Sequence, residues 1–304
     1  MSSNGSCRSW RLSEPAKIAP APVVEAKPRP TVIELLQLAA GYLDKKGVAS
    51  ARREADALLG HILEKDRLHL YLAFEERPSA TEVDLFRAAM KRRGEREPLQ
   101  YILGEGRFLG LRLKLDKRAL IPRPETEALA QRLRSLVAAG AQGADVGTGS
   151  GCLALSLASH GVEMQASDLS PDALALAREN AALNGLEAKL RFAQGSLLEP
   201  IEGPLDLIVS NPPYICAGEA LQPEVGGFEP AMALFAGADG LEALRPLLAL
   251  APQKLKPGGW LALECGQGQP AGLAEAARAT GAWSEILIEE DPFGVPRFLI
   301  ARRS

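Results

Sequence analysis

The chain has 304 residues, 46% hydrophobic and 24% charged, a globular composition long enough for two folded units. Lys and Arg number 35 against 38 Asp and Glu, a net charge of −3, which excludes a whole-chain basic field for holding DNA or RNA through phosphates. Four scattered cysteines (Cys7, Cys152, Cys216, Cys265) argue against a metal site or disulfide framework and for a reducing, cytoplasmic compartment, and no apolar run or signal-peptide core points to a membrane.

Residues 1–30 carry Pro15, Pro20, Pro22, Pro28 and Pro30 among Ala and Ser and are expected to form a disordered tail rather than a transit peptide. Over 31–96 the apolar period is helical: Val32, Leu35, Leu36, Leu38 and Ala39, then Ala55, Leu58, Leu59, Ile62 and Leu63, then Val83, Leu85, Phe86 and Ala89. This predicts a small all-α domain that grips a macromolecular partner. Its basic run Lys91-Arg92-Arg93 with Arg96 reads as a solvated helix end. Residues 97–127 change character. Leu99, Tyr101, Ile102 and Leu103, and then residues 108–115, read as short strands of a β-hairpin linker around Gly104, Gly106 and Gly110. In Ile121-Pro122-Arg123-Pro124-Glu125-Thr126-Glu127, Pro124 suits a first helical position and the acids a first turn. Arg123, held between two prolines, has no such structural explanation and is a candidate substrate contact.

A third region, 128–304, alternates strands and helices. A helix over 128–139 leads to a strand, Gln142 to Val146, and then to Asp145-Val146-Gly147-Thr148-Gly149-Ser150-Gly151 and an apolar helix. Strand, glycine loop and helix in that order allow a ligand close to the backbone at a helix N-terminus, and Asp145 is placed to meet a cationic amine. The loop lacks the Lys-Ser/Thr of a phosphate-gripping loop, and Cys152 breaks the dinucleotide pattern. The next strand ends at Asp168, about 20 positions on, where a carboxylate accepts both hydroxyls of a ribose. A helix over 171–184, a strand over 189–193, a strand over 205–210, a long loop over 215–240, a helix over 241–255 and a strand over 260–264 follow. A helix over 270–280 and a hairpin turning at 291–294 complete a mostly parallel sheet with one reversed strand near its edge.

Asn211-Pro212-Pro213-Tyr214 sits just past the 205–210 strand, at the carboxyl end of a parallel sheet where ligands bind. Two prolines stop both strand and helix and fix two φ angles. The result is a stiff corner suited to a planar group bearing an NH₂: the Asn211 side-chain oxygen and the Pro212 carbonyl each accept one hydrogen, and Tyr214 packs on the face.

Together with Glu97-Pro98-Leu99-Gln100-Tyr101-Ile102-Leu103-Gly104, Phe228-Glu229-Pro230 and the 121–127 segment, these motifs resemble the HemK/PrmC family of peptide chain release factor glutamine methyltransferases from residue 31 to the end. The resemblance implies a class I S-adenosylmethionine-dependent methyltransferase fold, Rossmann-like, with a seven-stranded sheet and a reversed edge strand, behind the all-α domain. It implies methyl transfer to the glutamine of the Gly-Gly-Gln motif of release factors, with S-adenosyl-L-homocysteine as product, no metal, no direct nucleic acid and action as a monomer. It assigns Gly147, Thr148, Gly149, Ser150 and Gly151 to the methionine and ribose of the cofactor, Asp168 to the ribose, and Ser196 and Leu197 to the adenine. Asn211, Pro212, Pro213 and Tyr214 fall to the glutamine, with Asn211 also beside the cofactor. The family usually carries Asp where Ser196 stands, so a hydroxyl or backbone carbonyl replaces a carboxylate there. The alternatives are methylation of another amino group, in a ribosomal-protein glutamine or a nucleic-acid adenine or guanine, or a different class altogether: a dinucleotide oxidoreductase or a non-catalytic cofactor-binding module.

Overall fold

The computed structural model describes residues 1–2 and 28–304, so the expected tail over 1–30 lies almost wholly outside the described residues. The first apolar stripe forms α1 (Val32–Lys45), started by a capping box in which Thr31 and Glu34 satisfy each other's backbone N–H. α2 (Ala51–Ile62), α3 (Arg67–Leu72) and α4 (Ala80–Gly94) follow, α4 again with a capping box, Ser79 and Glu82. Val32, Leu36, Leu43, Leu58, Leu59, Leu70 and Phe86 make the core of this bundle. Leu38 and Leu85, assigned to the stripes, stand 71% and 55% exposed. Leu38 lies two residues from Leu36, roughly 160° around a helix, and so points away from the bundle. The six-residue α3 escaped the sequence because it is too short to show a period.

The expected strand at 99–103 is instead a one-turn helix, α5 (Leu99–Leu103), which buries Tyr101. Pro98 starts it and Gly104, at φ 73°, ends it, as a left-handed C-terminal glycine does. The hairpin is real but its strands are β1 (Glu105–Phe108) and β2 (Leu111–Lys114), turning at Leu109-Gly110, both with positive φ. The single strand read over 108–115 therefore straddles a turn.

Pro124 opens α6 (Pro124–Arg134), the first helical position it suits, with Arg123 as N-cap residue, so the helix read over 128–139 begins at Pro124 and ends at Arg134. Then come β3 (Gln142–Val146), α7 (Cys152–Ser159), β4 (Glu163–Asp168), α8 (Pro171–Leu183), β5 (Leu190–Gln194) and β6 (Leu205–Ser210). α9 (Pro223–Phe228) interrupts the long 215–240 segment, and α10 (Leu244–Lys254), β7 (Leu255–Glu264), α11 (Gln269–Thr280), β8 (Trp283–Glu290) and β9 (Pro296–Arg303) finish the chain. The seven-stranded sheet has the order β5-β4-β3-β6-β7-β9-β8. β9 runs against the other six strands, so the reversed strand lies one in from the edge.

Period-2 alternation sends Leu207 and Val209 to a core under α6 and α7, and Ile208 to a second core under α10 and α11. The chain leaves central β3 toward β4 and β5, then returns to β6 on its other side. The crevice between β3 and β6 is thus a topological switch point. Val146 pairs with both Ser167 and Ser210, which aligns the carboxyl ends of β3, β4 and β6.

The basic run ending α4 is not simply solvated. Arg93, 4% exposed, pairs with Glu54 of α2 and, at 3.0 Å, with Glu224 of α9, while Arg96 reaches the other Glu224 oxygen at 2.7 Å. Two helices of the bundle and the loop segment thereby share one charge network. Removing its central cation leaves two part-buried carboxylates facing each other. Arg93→Ala is expected to lower folding stability by about 3 kcal/mol, and adding Glu224→Gln should recover part of that loss; urea denaturation of the single and double variants measures both.

Candidate active site

Asp145, 1% exposed, is the penultimate residue of β3, beneath the glycine loop. Its Oδ2 accepts from Thr148 Oγ1 at 2.7 Å and from the Ala154 N–H at 3.1 Å, tying the loop to the first turn of α7. Burial pushes this carboxyl up to about 7, against the opposing hydrogen bonds from Thr148 and Ala154. Oδ1 is buried and, among the described residues, has no donor. Gly147 and Gly149 adopt φ of 73° and 56°, conformations that favour glycine, and the space beside Gly147 is open where a Cβ would stand. Asp168 holds this loop from the next strand: Oδ2 accepts from the Gly149 N–H and Oδ1 from the Ser170 N–H, both at 2.9 Å. Each oxygen keeps a lone pair for a further donor.

The tetrapeptide faces that loop across the crevice. Asn211 Nδ2 donates to Thr126 Oγ1 at 3.1 Å, and Thr126 Oγ1 donates to Glu264 Oε2 at 2.8 Å. Among the described residues, no donor engages Asn211 Oδ1 or the Pro212 carbonyl. The Tyr214 carbonyl is held from behind by Gln269 Nε2 at 3.0 Å. Burial pushes the Tyr214 phenol up to about 12, with the Glu264 carboxylate adding to the shift. Glu264 is itself 1% exposed, and burial raises it to about 7 against its hydrogen bond from Thr126 and the charge of Arg297.

Two cavities flank this corner, one against Asn211 to Pro213 and the other against Tyr214. One, about 240 Å³, is bounded by Gly147 to Ser150, Asp168, Leu197, Thr126 and Asn211 to Pro213, with the 118–122 strap opposite. The other, about 720 Å³, is lined by Tyr214, Arg123, Glu125, Glu264 and Arg297, by Glu224 and Glu229 of the 215–240 segment, and by Glu54 and Arg93 of the bundle. Of the residues singled out in the sequence, Gly147, Thr148, Gly149, Ser150, Asp168, Leu197, Asn211, Pro212 and Pro213 surround the first cavity. Asp145 and Gly151 lie buried beneath it. Ser196 is exposed and outside the lining, between Gly195 and Leu197 within it. Tyr214 and Arg123 face the second cavity. Arg123 pairs with Glu229, whose Oε2 also accepts from the Ile121 N–H at 3.0 Å, so the Phe228-Glu229-Pro230 motif locks the strap.

Sequence reasoning missed Thr126, Glu264 and Asn180. Asn180 is fully buried on α8 and joins the Ser150 carbonyl to both polar backbone groups of Lys114. An acid closing the apolar run Trp260-Leu261-Ala262-Leu263-Glu264 is a signal for the second of these, since a carboxyl buried in a strand needs a partner.

Residues 34–104 match the PrmC N-terminal domain and residues 124–227 the methyltransferase small domain. The chain is 43% identical over 279 residues, 89% of this chain and 98% of the relative, to the release factor glutamine methyltransferase of Deinococcus radiodurans. Against the protein of the same name from Geobacter sulfurreducens it is 40% identical over 277 residues, covering 90% and 96% of the two chains. The solved catalytic domain of hMettl16, in complex with a 3'UTR hairpin, superposes with a TM-score of 0.51 at 16% identity over 74% of this chain and 82% of that one, a likeness of fold alone. The fold is that of the class I S-adenosylmethionine-dependent methyltransferases.

Both buried carboxyls bind a proton more tightly in the folded chain, at about 7, than at their ordinary values of 3.8 and 4.5. Their contribution to stability is therefore full below about pH 4 and is lost as pH rises through about 7. Without added ligand, folding free energy should fall between pH 5 and 8 by roughly 1–3 kcal/mol per group, and Asp145→Asn should flatten the slope. Urea titrations across that range measure it; a slope unchanged by the substitution refutes the assignment to Asp145.

Proposed function

The chain belongs to the release factor glutamine methyltransferases, and from that premise we propose how its own residues carry methyl transfer from S-adenosylmethionine to the side-chain amide nitrogen of the glutamine in the Gly-Gly-Gln motif of a peptide chain release factor. The first cavity suits the cofactor: the loop glycines leave room for a ligand against the backbone, Asp168 keeps acceptor capacity for two hydroxyls, and the Ser150 hydroxyl is buried there with no partner among the described residues. Asp145 acts from below by shaping the loop through Thr148 and Ala154. Leu197 offers an apolar wall to the adenine, and the backbone at Gly195 takes the place of the side chain expected from Ser196.

S-adenosylmethionine supplies a methyl on a sulfonium: the carbon–sulfur bond breaks as the carbon–nitrogen bond forms, the sulfur keeps the electron pair, and S-adenosylhomocysteine leaves. The rest is positioning. Carboxamide nitrogen is a weak nucleophile because its lone pair is delocalised into the carbonyl. Asn211 Oδ1 and the Pro212 carbonyl each accept one of its two hydrogens, fixing the nitrogen in line and favouring the positive charge that grows on it. The proton it then loses is acidic enough for water to take, so no histidine base is required. The observation that carries this reading is that Asn211 and Pro212 both line the first cavity and that, among the described residues, neither acceptor has a protein donor.

The second cavity is the proposed approach for the glutamine-bearing segment. Its cations, Arg93, Arg123 and Arg297, are outnumbered by Glu54, Glu125, Glu224, Glu229 and Glu264, and Tyr214 is the one aromatic residue in its lining. A flipped nucleobase needs stacking faces and its phosphates need excess cations, so this lining supports a protein substrate. Among the described residues no helix is long and apolar enough to cross a membrane. The cytoplasm is the proposed place of action, and a monomer the proposed form.

Asn211→Ala should lower kcat by about 10²- to 10³-fold, the usual loss when one preorganised polar group leaves a transition state, while S-adenosylmethionine affinity changes little. Labelled methyl transfer to a release factor, with its Gly-Gly-Gln glutamine intact or replaced, and calorimetry of the cofactor give the two numbers. Equal losses in both would reject the role.

A further inference from the structure

We propose that Thr126 and Glu264 are positioning residues that decide which atom of the Asn211 carboxamide faces the substrate. The proposal rests on the function above. An asparagine side chain fits its site either way round, because its oxygen and nitrogen have nearly the same shape, and only hydrogen bonding chooses between them. A substrate amide offers two N–H donors. Were Asn211 to present its own NH₂, donors would meet donors and the corner would repel the group it must hold.

The direction is set two residues away. Thr126 has a single hydroxyl proton, and Glu264 Oε2 accepts it at 2.8 Å. Only lone pairs of Thr126 Oγ1 then remain for Asn211, whose Nδ2 donates to them at 3.1 Å. Oδ1 is thereby turned away from Thr126 and left free. Thr126 and Glu264 are 2% and 1% exposed, so water competes weakly for either bond. The three side chains come from three elements. Asn211 follows β6, Thr126 lies in the first turn of α6, and Glu264 closes β7, one residue beyond the Leu263 that pairs with Ser210. Losing the Glu264 acceptor frees the hydroxyl proton to point at Asn211 Oδ1, which inverts the amide. Losing the hydroxyl leaves the amide to either orientation.

Thr126→Val keeps shape and removes the hydroxyl. Its kcat for methyl transfer to a release factor should fall on the order of 10- to 100-fold, the range seen when a group that orients a functional ligand is removed. KM should move much less, since the acceptor matters most as charge grows on nitrogen. Calorimetric S-adenosylmethionine affinity should stay within about twofold, under about 0.4 kcal/mol. Thr126→Ser restores the hydroxyl and should restore most of kcat; Glu264→Leu should lose it as Thr126→Val does. A readout independent of methyl transfer is the exchange of the Asn211 side-chain amide protons by NMR, identified by their absence in Asn211→Asp. They should exchange slowly in the wild-type chain and fast in Thr126→Val. Unchanged kcat in Thr126→Val, a parallel loss of cofactor affinity, or equal exchange in the two proteins overturns the proposal. If the wild-type chain methylates no release factor, the function above fails while the exchange measurement still decides this inference.

Discussion

Two successive prolines leave the crevice with a carbonyl that no strand or helix can claim. β6 runs straight at the switch point, and Pro212 and Pro213, lacking N–H groups, end its ladder there. The rest of the site is built to keep that corner from relaxing. Ser210 ties its base to β3 through the Val146 carbonyl at 2.6 Å. Gln269 of α11 grips the Tyr214 carbonyl, and Gly240 packs so closely behind it that a Cβ there would run into the same oxygen. Thr126 fixes the Asn211 amide from α6. Contacts from four separate parts of the chain therefore converge on Ser210, Asn211 and Tyr214, which gives the two prolines between them the rigidity that a flexible loop would lack.

The helical bundle belongs to this arrangement and is more than an appended grip. The 215–240 segment is held at Glu224 by Arg93 and Arg96 of the bundle side, at Glu229 by Arg123 and the Ile121 N–H, and at Asp239 and Gly240 by Gln269. It closes one side of the larger cavity while the bundle closes the other. The strap over the smaller cavity is tied in the same way: Tyr101 Oη donates to the Ala119 carbonyl at 2.7 Å, and Arg118 forks between Asp116 and Glu179. The linker sequence thus works as a roof, joined on one flank to the bundle by α5 and on the other to the sheet by α8.

The sequence carried local structure well where one residue type dictated it. β3 and β6 have the bounds read from the sequence, Pro124 is the first residue of α6, and the turn at Asp291-Pro292-Phe293-Gly294 joins β8 to β9. It misled where a short apolar stretch fits either helix or strand, as at α5, because five residues hold too little of either period. The residues that line the smaller cavity were legible because they follow strand ends in order, and the register of β3, β4 and β6 brings them together without further information. What the sequence withheld are partnerships across long separations. Thr126 and Glu264 are 138 residues apart, and Arg93 and Glu224 are 131. No period or spacing links such pairs, so Thr126 read as an ordinary first-turn residue and Arg93 as a solvated one.

Two carboxyls near the crevice stand where packing alone would favour apolar groups. Asp145 and Glu264 are each 1% exposed, and burial holds both well above their ordinary range. Each weakens the folded chain at neutral pH, because a buried carboxylate gives up hydration that one or two hydrogen bonds only partly replace. Neither is isolated, and neither serves the core. Asp145 binds the glycine loop to the start of α7, and Glu264 takes the single proton of Thr126. A leucine in either place would satisfy the sheet. Such a leucine would remove the acceptor that ties the loop or orders the amide, and under the proposed mechanism, which holds one nitrogen at one angle, a more stable scaffold that lets its acceptors move is of no use.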